Sequence, residues 1–77
     1  LVAADNTGVE KFPVDPRDGF LHRRAIPLLG LPLGEMWWLH DLAQACAQAG
    51  TYESLVVVAP LRLPGGVGSP ANAVAIR

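Results

Sequence analysis

The chain has 77 residues, of which 51% are hydrophobic and 17% are charged, and its formal net charge is −1. This composition excludes intrinsic disorder, and a pI near 6.1 excludes a strongly basic nucleic-acid-binding face. The single cysteine, Cys46, cannot form an internal disulfide, and no apolar run approaches the roughly 18 residues of a membrane span. At most one domain is expected, in a cytoplasmic protein without a signal peptide.

So short a chain normally needs a metal, a disulfide or a partner to supplement its small core. It has few charges and no disulfide, and it opens on the apolar residues 1–4 without a methionine. One interpretation is a processed or tagged chain with trimmed ends. We favour the alternative that residues 1–77 are the C-terminal portion of a single larger domain and begin partway along a strand.

The first predicted elements are a buried strand and a loop. Residues 1–4 form a short apolar run that ends at Asp5-Asn6-Thr7-Gly8, which is typical of a strand entering a turn. Residues 12–19 contain two prolines, two aspartates and a glycine, and therefore predict a surface loop.

A short helix is predicted next, from near Phe20 to Gly30. Asp18 is predicted to cap its start, Pro27 to shorten or kink it, and Gly30 to end it. Residues 31–34 then form a short extended link. The apolar positions of this helix recur at spacings of three and four residues: Leu21, Ala25, Leu28 and Leu29.

The strongest helix prediction runs from Leu39 to Gln48 and stops at Gly50, because alanine, leucine and glutamine favour helix. Its predicted apolar stripe consists of Leu39, Leu42, Ala43 and Cys46. In this position Cys46 is interpreted as a small buried hydrophobe rather than a nucleophile. Asp41 in the first turn favours the positive end of the helix dipole.

The C-terminal half predicts two strands. Residues 54–63 hold a continuous β-branched run, which indicates a strand covered on both faces, continued past Pro60 by residues 61–63. The glycine- and proline-rich residues 64–70 lack the Gly-Lys-Ser/Thr ending of a phosphate-binding loop and are interpreted as a connection to a last strand at 71–76. The predicted class is α+β, with two short helices and strands that complete a larger, mostly antiparallel sheet.

Few side chains could carry chemistry. His22 and Glu35 offer an imidazole nitrogen and a carboxylate oxygen, the donors that hold zinc or manganese, and 13 positions separate them. The residues alone leave open a metal site or a solvated histidine beside a surface glutamate. His40 is a lesser candidate ligand, and the adjacent Trp37 and Trp38 are interpreted first as core packing.

Three segments resemble the cyclase family, the superfamily of kynurenine formamidase and isatin hydrolase. Residues 21–39, from Leu21-His22-Arg23-Arg24 to Gly34-Glu35-Met36-Trp37-Trp38-Leu39, resemble its C-terminal part. Residues 50–76 resemble its final strands, with Gly68-Ser69-Pro70 as its Gly-Ser-Pro loop. Residues 5–10 are similar to the Asp-x-x-Ser-x-Asp turn of the formamidase branch, with Gly8 and Glu10 in place of its serine and its second aspartate.

The resemblance implies a metal-dependent hydrolase with a cyclase-like swivelling β/β/α fold, acting on a formamide-type amide or on a cyclic amide or lactone. His22 and Glu35 stand where the family's later histidine and glutamate complete a second metal position, and zinc or manganese is the implied cofactor. The family's first metal signature, His-x-Gly-Thr-His-x-Asp-x-Pro, does not occur in the chain, so its N-terminal metal-binding portion is absent. We assign no catalytic residue, and we expect the isolated chain to be inactive.

The expected partners are the missing N-terminal part of the same domain, a small amide substrate and a second copy of the protein, with neither nucleic acid nor membrane. Residues 56–58 are expected to be buried in the contact with the missing half or with another copy. A competing hypothesis is a non-catalytic interaction or assembly module of α/β type that pairs through its strands and Trp37/Trp38. A third is a structural fragment without a ligand.

Overall fold

The computed structural model describes all 77 residues, which form two helices and two small sheets. They divide into two compact units, Leu1–Leu39 and His40–Arg77. The predicted α+β class is confirmed. In chain order the elements are β1 (Val2–Ala3), α1 (Leu21–Leu29), β2 (Leu33–Gly34), α2 (His40–Ala49), β3 (Leu55–Val57) and β4 (Val74–Ile76).

The first unit contains a short parallel pair, in which β1 and β2 place Val2 opposite Leu33. The pairing continues past both strands, since Trp37 N–H donates to the Ala4 carbonyl at 3.2 Å. The sequence predicted only an extended link at residues 31–34, because nothing local to this segment indicates a partner about 30 residues earlier. The predicted burial of the first strand is wrong within this chain, since Val2 remains 44% exposed.

Helix α1 begins and ends close to the predicted residues. It ends at Gly30, whose φ of 60° lies in the left-handed region that glycine adopts without strain. The predicted cap is wrong, because Phe20 occupies the N-cap position without a side-chain hydrogen bond and Asp18 pairs with Lys11. Among the predicted apolar positions only Ala25 is buried.

Helix α2, in the second unit, confirms the predicted helix to within one residue at each end. Gly50 follows it with a φ of 67°, and Asp41 lies in its first turn. Cys46 is buried, as expected for a small hydrophobe on the inner side of the helix.

Neither helix of the structure combines the length and the apolar character needed to cross a membrane.

Strands β3 and β4 form an antiparallel pair with Leu55 opposite Ile76 and Val57 opposite Val74. The prediction that residues 61–63 continue β3 is wrong. Pro60 has no N–H group for the ladder, and the next donor, Leu61 N–H, binds Ser69 Oγ at 2.9 Å. Residues 64–70 connect the two strands as predicted. The predicted cover on both faces of β3 is not provided by these 77 residues, since Leu55 is 64% exposed and Val57 is 47% exposed.

Candidate functional site

The imidazole of His22 lies between two carboxylates in the first unit. Its Nε2 is 2.9 Å from Glu35 Oε1, and its Nδ1 is 3.0 Å from Glu10 Oε2. His22 is the second residue of α1, Glu35 directly follows β2, and Glu10 belongs to the segment after β1. The structure therefore brings together the two candidate ligands chosen from the sequence and adds a third residue.

The backbone fixes Glu35 from two sides. The pairing of β1 with β2 sets the position of Gly34, the residue before it. The Glu35 side chain is then held by the Val9 N–H, which donates to its Oε1 at 2.9 Å. One carboxylate oxygen is thus tied to the backbone and also faces the imidazole.

Gly34 itself tolerates no side chain in this arrangement. A Cβ atom at this position would lie 2.7 Å from the Trp37 ring, closer than real contacts allow. Trp37 is half-buried against the glycine, whereas the predicted core packing is wrong for Trp38, which is 73% exposed.

Glu10 is the member of this cluster that sequence reasoning did not assign. Its Oε1 accepts a hydrogen bond from Leu21 N–H at 2.9 Å, and its Oε2 accepts one from His22 N–H at 3.2 Å. These are N–H groups of the first helical turn, which have no partner inside the helix. One available signal was Phe20 at the N-cap, because its side chain has no acceptor for the N–H groups of the first turn.

These contacts displace the pKa values of the two groups in opposite directions. The hydrogen bond from Leu21 N–H, followed by the one to the His22 ring, lowers the pKa of Glu10 from 4.5 to about 2. The hydrogen bond to Glu10 raises the pKa of His22 above its ordinary 6.5, and the nearby charge of Glu35 adds to that effect. The contacts with Glu10 and Glu35 therefore favour the protonated form of His22 in the metal-free chain.

The cluster predicts how the stability of the metal-free protein depends on pH. The Glu10 contribution is complete above pH 4.5 and is lost as the pH falls towards about 2, because its folded pKa is lowered. The His22 contribution is complete below pH 6.5 and is lost as the pH rises through its raised pKa. The stability due to this cluster should therefore be greatest between pH 4.5 and 6.5.

Urea unfolding in the presence of a chelator, from about pH 3 to about pH 8, measures this dependence. His22→Gln should remove the loss at the alkaline side and keep most of the loss at the acidic side. An alkaline loss of the same size in the variant would show that it arises elsewhere in the protein.

An open pocket of about 280 Å³ adjoins the cluster. Its aromatic lining is Phe12 and Phe20, and a Cβ atom on Gly8 would lie 3.1 Å from the Phe12 ring. Because Gly8 has no side chain, space remains between the Phe12 ring and the Glu35 carboxylate. The pocket is lined by Thr7, Gly8, Glu10, Phe12, Val14, Phe20, His22 and Glu35.

The other candidates do not join this cluster. His40 opens α2 in the second unit, and its Nε2 lies 2.9 Å from the side-chain nitrogen of Gln44. Asp41 lies next to it in the first helical turn. Neither residue belongs to a group of three or more side chains that could hold a metal ion.

The donor set fits part of a metal shell. His22 Nε2 and Glu35 Oε1 lie 2.9 Å apart, and Glu10 contacts the other ring nitrogen in the way that carboxylates hold metal-binding histidines. The structure contains no group of three or more histidine, cysteine, aspartate or glutamate side chains that could hold a metal ion. A catalytic zinc site usually takes about three protein ligands, so a zinc ion here would need further ligands from outside this group.

The chain is thus an α+β segment that presents an imidazole and a carboxylate beside a partly aromatic pocket. Over 97% of its length it matches a solved structure described as a "novel cyclase", with 44% sequence identity and a TM-score of 0.81. No protein-family model matches the chain, and no curated protein matches it significantly. The structural match confirms the resemblance to the cyclase family, and the chain spans 24% of the length of the matched protein.

Proposed function

We propose that the chain is the C-terminal portion of a cyclase-family metal-dependent hydrolase, and that His22 and Glu35 supply two of its metal ligands. The substrate is a formamide-type amide, a cyclic amide or a lactone. The observation that carries this proposal is the 2.9 Å approach of His22 Nε2 to Glu35 Oε1, at the edge of a pocket. The match to a cyclase over nearly the whole chain supports it.

The arrangement of acceptors favours a cation at this point. When a neutral His22 carries its proton on Nδ1, facing Glu10, its Nε2 has only a lone pair to offer. Nε2 and Glu35 Oε1 are then two acceptors that face each other, and a positive charge between them removes their repulsion. A divalent zinc or manganese ion bound there would lower the pKa of a bound water and polarise a substrate carbonyl.

The pocket favours a substrate with a flat apolar group beside the reacting bond. Phe12 and Phe20 provide aromatic surface, and Gly8 leaves space next to Glu35. An aryl group could pack against these rings while its amide or lactone carbonyl lies towards His22 and Glu35. Phe12 is 67% exposed, so its ring is accessible to such a ligand.

The test uses the full-length protein and measures metal content together with hydrolysis of formanilide. His22→Ala should lose most of the bound metal and most of the hydrolysis, because no other side chain in the cluster offers a neutral nitrogen. His40→Ala, the same substitution at the other histidine of the chain, is the matched control and should keep both. Full metal content and full hydrolysis in His22→Ala would refute the metal-site proposal.

A second candidate function is a non-catalytic interaction or assembly module. The exposed apolar strands favour it, since Leu55 is 64%, Val74 is 55% and Ile76 is 53% exposed. Such surfaces pair with the rest of a domain or with a second copy of the chain. A full-length protein that assembles through these strands, binds no metal and hydrolyses no amide would favour this alternative.

A further inference from the structure

Glu10 connects the start of α1 to the imidazole of His22. One of its oxygens accepts the Leu21 N–H at 2.9 Å, and the other accepts the His22 N–H at 3.2 Å and lies 3.0 Å from His22 Nδ1. The Glu10 side chain is only 8% exposed, whereas that of His22 is 37% exposed. A carboxylate with so little access to water depends on partners within the protein for its hydrogen bonds, and these contacts are among them.

The Glu10 carboxylate determines which nitrogen of the His22 ring carries the proton. An ionised carboxylate accepts hydrogen bonds and cannot donate them, so His22 Nδ1 must carry a proton for this contact to be favourable. In a neutral imidazole that proton leaves Nε2 deprotonated. Glu35 competes for the proton from the other side, but its side chain is 29% exposed and can use water instead.

We propose that Glu10 is a positioning residue that holds the neutral His22 ring with its proton on Nδ1, which makes Nε2 the nitrogen offered to a ligand. The two hydrogen bonds from the N–H groups at the helix start fix the carboxylate, and the carboxylate fixes the ring. The identity of that ligand as a metal ion rests on the proposed function. The position of the proton on the ring does not depend on the proposed function.

Glu10→Gln separates this role from helix capping. A glutamine Oε1 can still accept the Leu21 N–H, so the helix start keeps an acceptor. The glutamine amide group then takes the place of Oε2, where it loses the bond from the His22 N–H and donates to Nδ1. This favours the ring with its proton on Nε2, which faces Glu35. If Glu10 served only as a cap, the substitution would leave the ring unchanged.

The experiment measures ¹⁵N chemical shifts of the His22 ring in metal-free, full-length protein labelled at histidine, at a pH where the ring is neutral. His22→Gln assigns the signals. The wild type should show a protonated Nδ1 and a bare Nε2, and Glu10→Gln should reverse this pattern. Metal affinity in Glu10→Gln should fall by about 10- to 100-fold, as is typical when a residue that orients a ligand is replaced.

Asp15→Asn is the matched control, because it replaces an acidic residue of the same loop that pairs with Arg17 and has no contact with His22. It should change neither the ring pattern nor the metal affinity. A wild-type ring protonated on Nε2 would overturn the proposal, even if Glu10→Gln does not fold. An unchanged ring pattern in a Glu10→Gln protein with wild-type far-ultraviolet circular dichroism would also overturn it. Because the ring is observed without metal, failure of the proposed function would appear separately, as absent metal binding in the wild type.

Discussion

Glu35→Gln is expected to remove most of the bound metal from the full-length protein and to lower amide hydrolysis by more than about 100-fold. This loss should exceed the 10- to 100-fold effect typical of residues that only orient a ligand. Glutamine has nearly the shape of glutamate and keeps an oxygen that can accept the Val9 N–H. The substitution therefore removes the negative charge facing His22 Nε2 and leaves the local hydrogen bond in place.

The measurement combines metal analysis with the rate of formanilide hydrolysis, and urea unfolding confirms that the fold is retained. Glu53→Gln is the matched control, since it makes the same chemical change at an exposed residue of the second unit. It should keep both metal and activity. Normal metal content and rate in Glu35→Gln would exclude Glu35 as a ligand, and the cyclase match would then stand on sequence and fold alone.

Local signals in the sequence were sufficient to predict both helices. Gly30 and Gly50 take the left-handed conformations at which the helices stop, with φ values of 60° and 67°. The alanine-rich run of α2 predicted that helix without tertiary information. These features depend on residues within a few positions of each other, which a single sequence displays directly.

Contacts between distant residues account for what the sequence did not predict. Strand β2 exists because β1 lies beside it, about 30 residues away in the chain. The acceptor at the start of α1 is Glu10, 11 positions before Leu21, whereas the prediction relied on the nearby Asp18. Residue chemistry and family resemblance singled out His22 and Glu35 as a candidate pair, and the structure supplies the distance between them.

The apolar run of β3 shows a third kind of difference between the sequence-based prediction and the structure. Consecutive β-branched residues predicted a strand covered on both faces, and β4 is the one strand that pairs with it. Residues 55–58 remain between 39% and 64% exposed. The apolar pattern thus fits a strand with more packing neighbours than these 77 residues provide. The exposed face of β3 is therefore the surface on which association should be tested.

Val57→Asp is expected to abolish self-association of the isolated 77-residue chain. Val57 lies opposite Val74 in the β3–β4 pair, and both side chains are about half exposed, so other copies can cover them. An aspartate there would have to bury an unpaired charge in any such contact, which costs several kcal/mol. In sedimentation at micromolar concentration, the wild-type chain should exceed its 8.2 kDa monomer mass, and the variant should sediment as a monomer or unfold.

Val67→Asp supplies the matched control for this substitution. Val67 lies in the loop between β3 and β4 and is fully exposed, so an aspartate there keeps its hydration and should leave association unchanged. In the full-length protein, Val57→Asp should lower the free energy of unfolding by about 3 kcal/mol or more, because the rest of the domain would cover the strand. Val67→Asp should change it by less than about 0.5 kcal/mol. Two results together would contradict this prediction: a monodisperse monomer for the wild-type chain, and an unchanged free energy of unfolding for the full-length protein with Val57→Asp. They would show that the exposed face of β3 contacts neither a partner nor the rest of a domain.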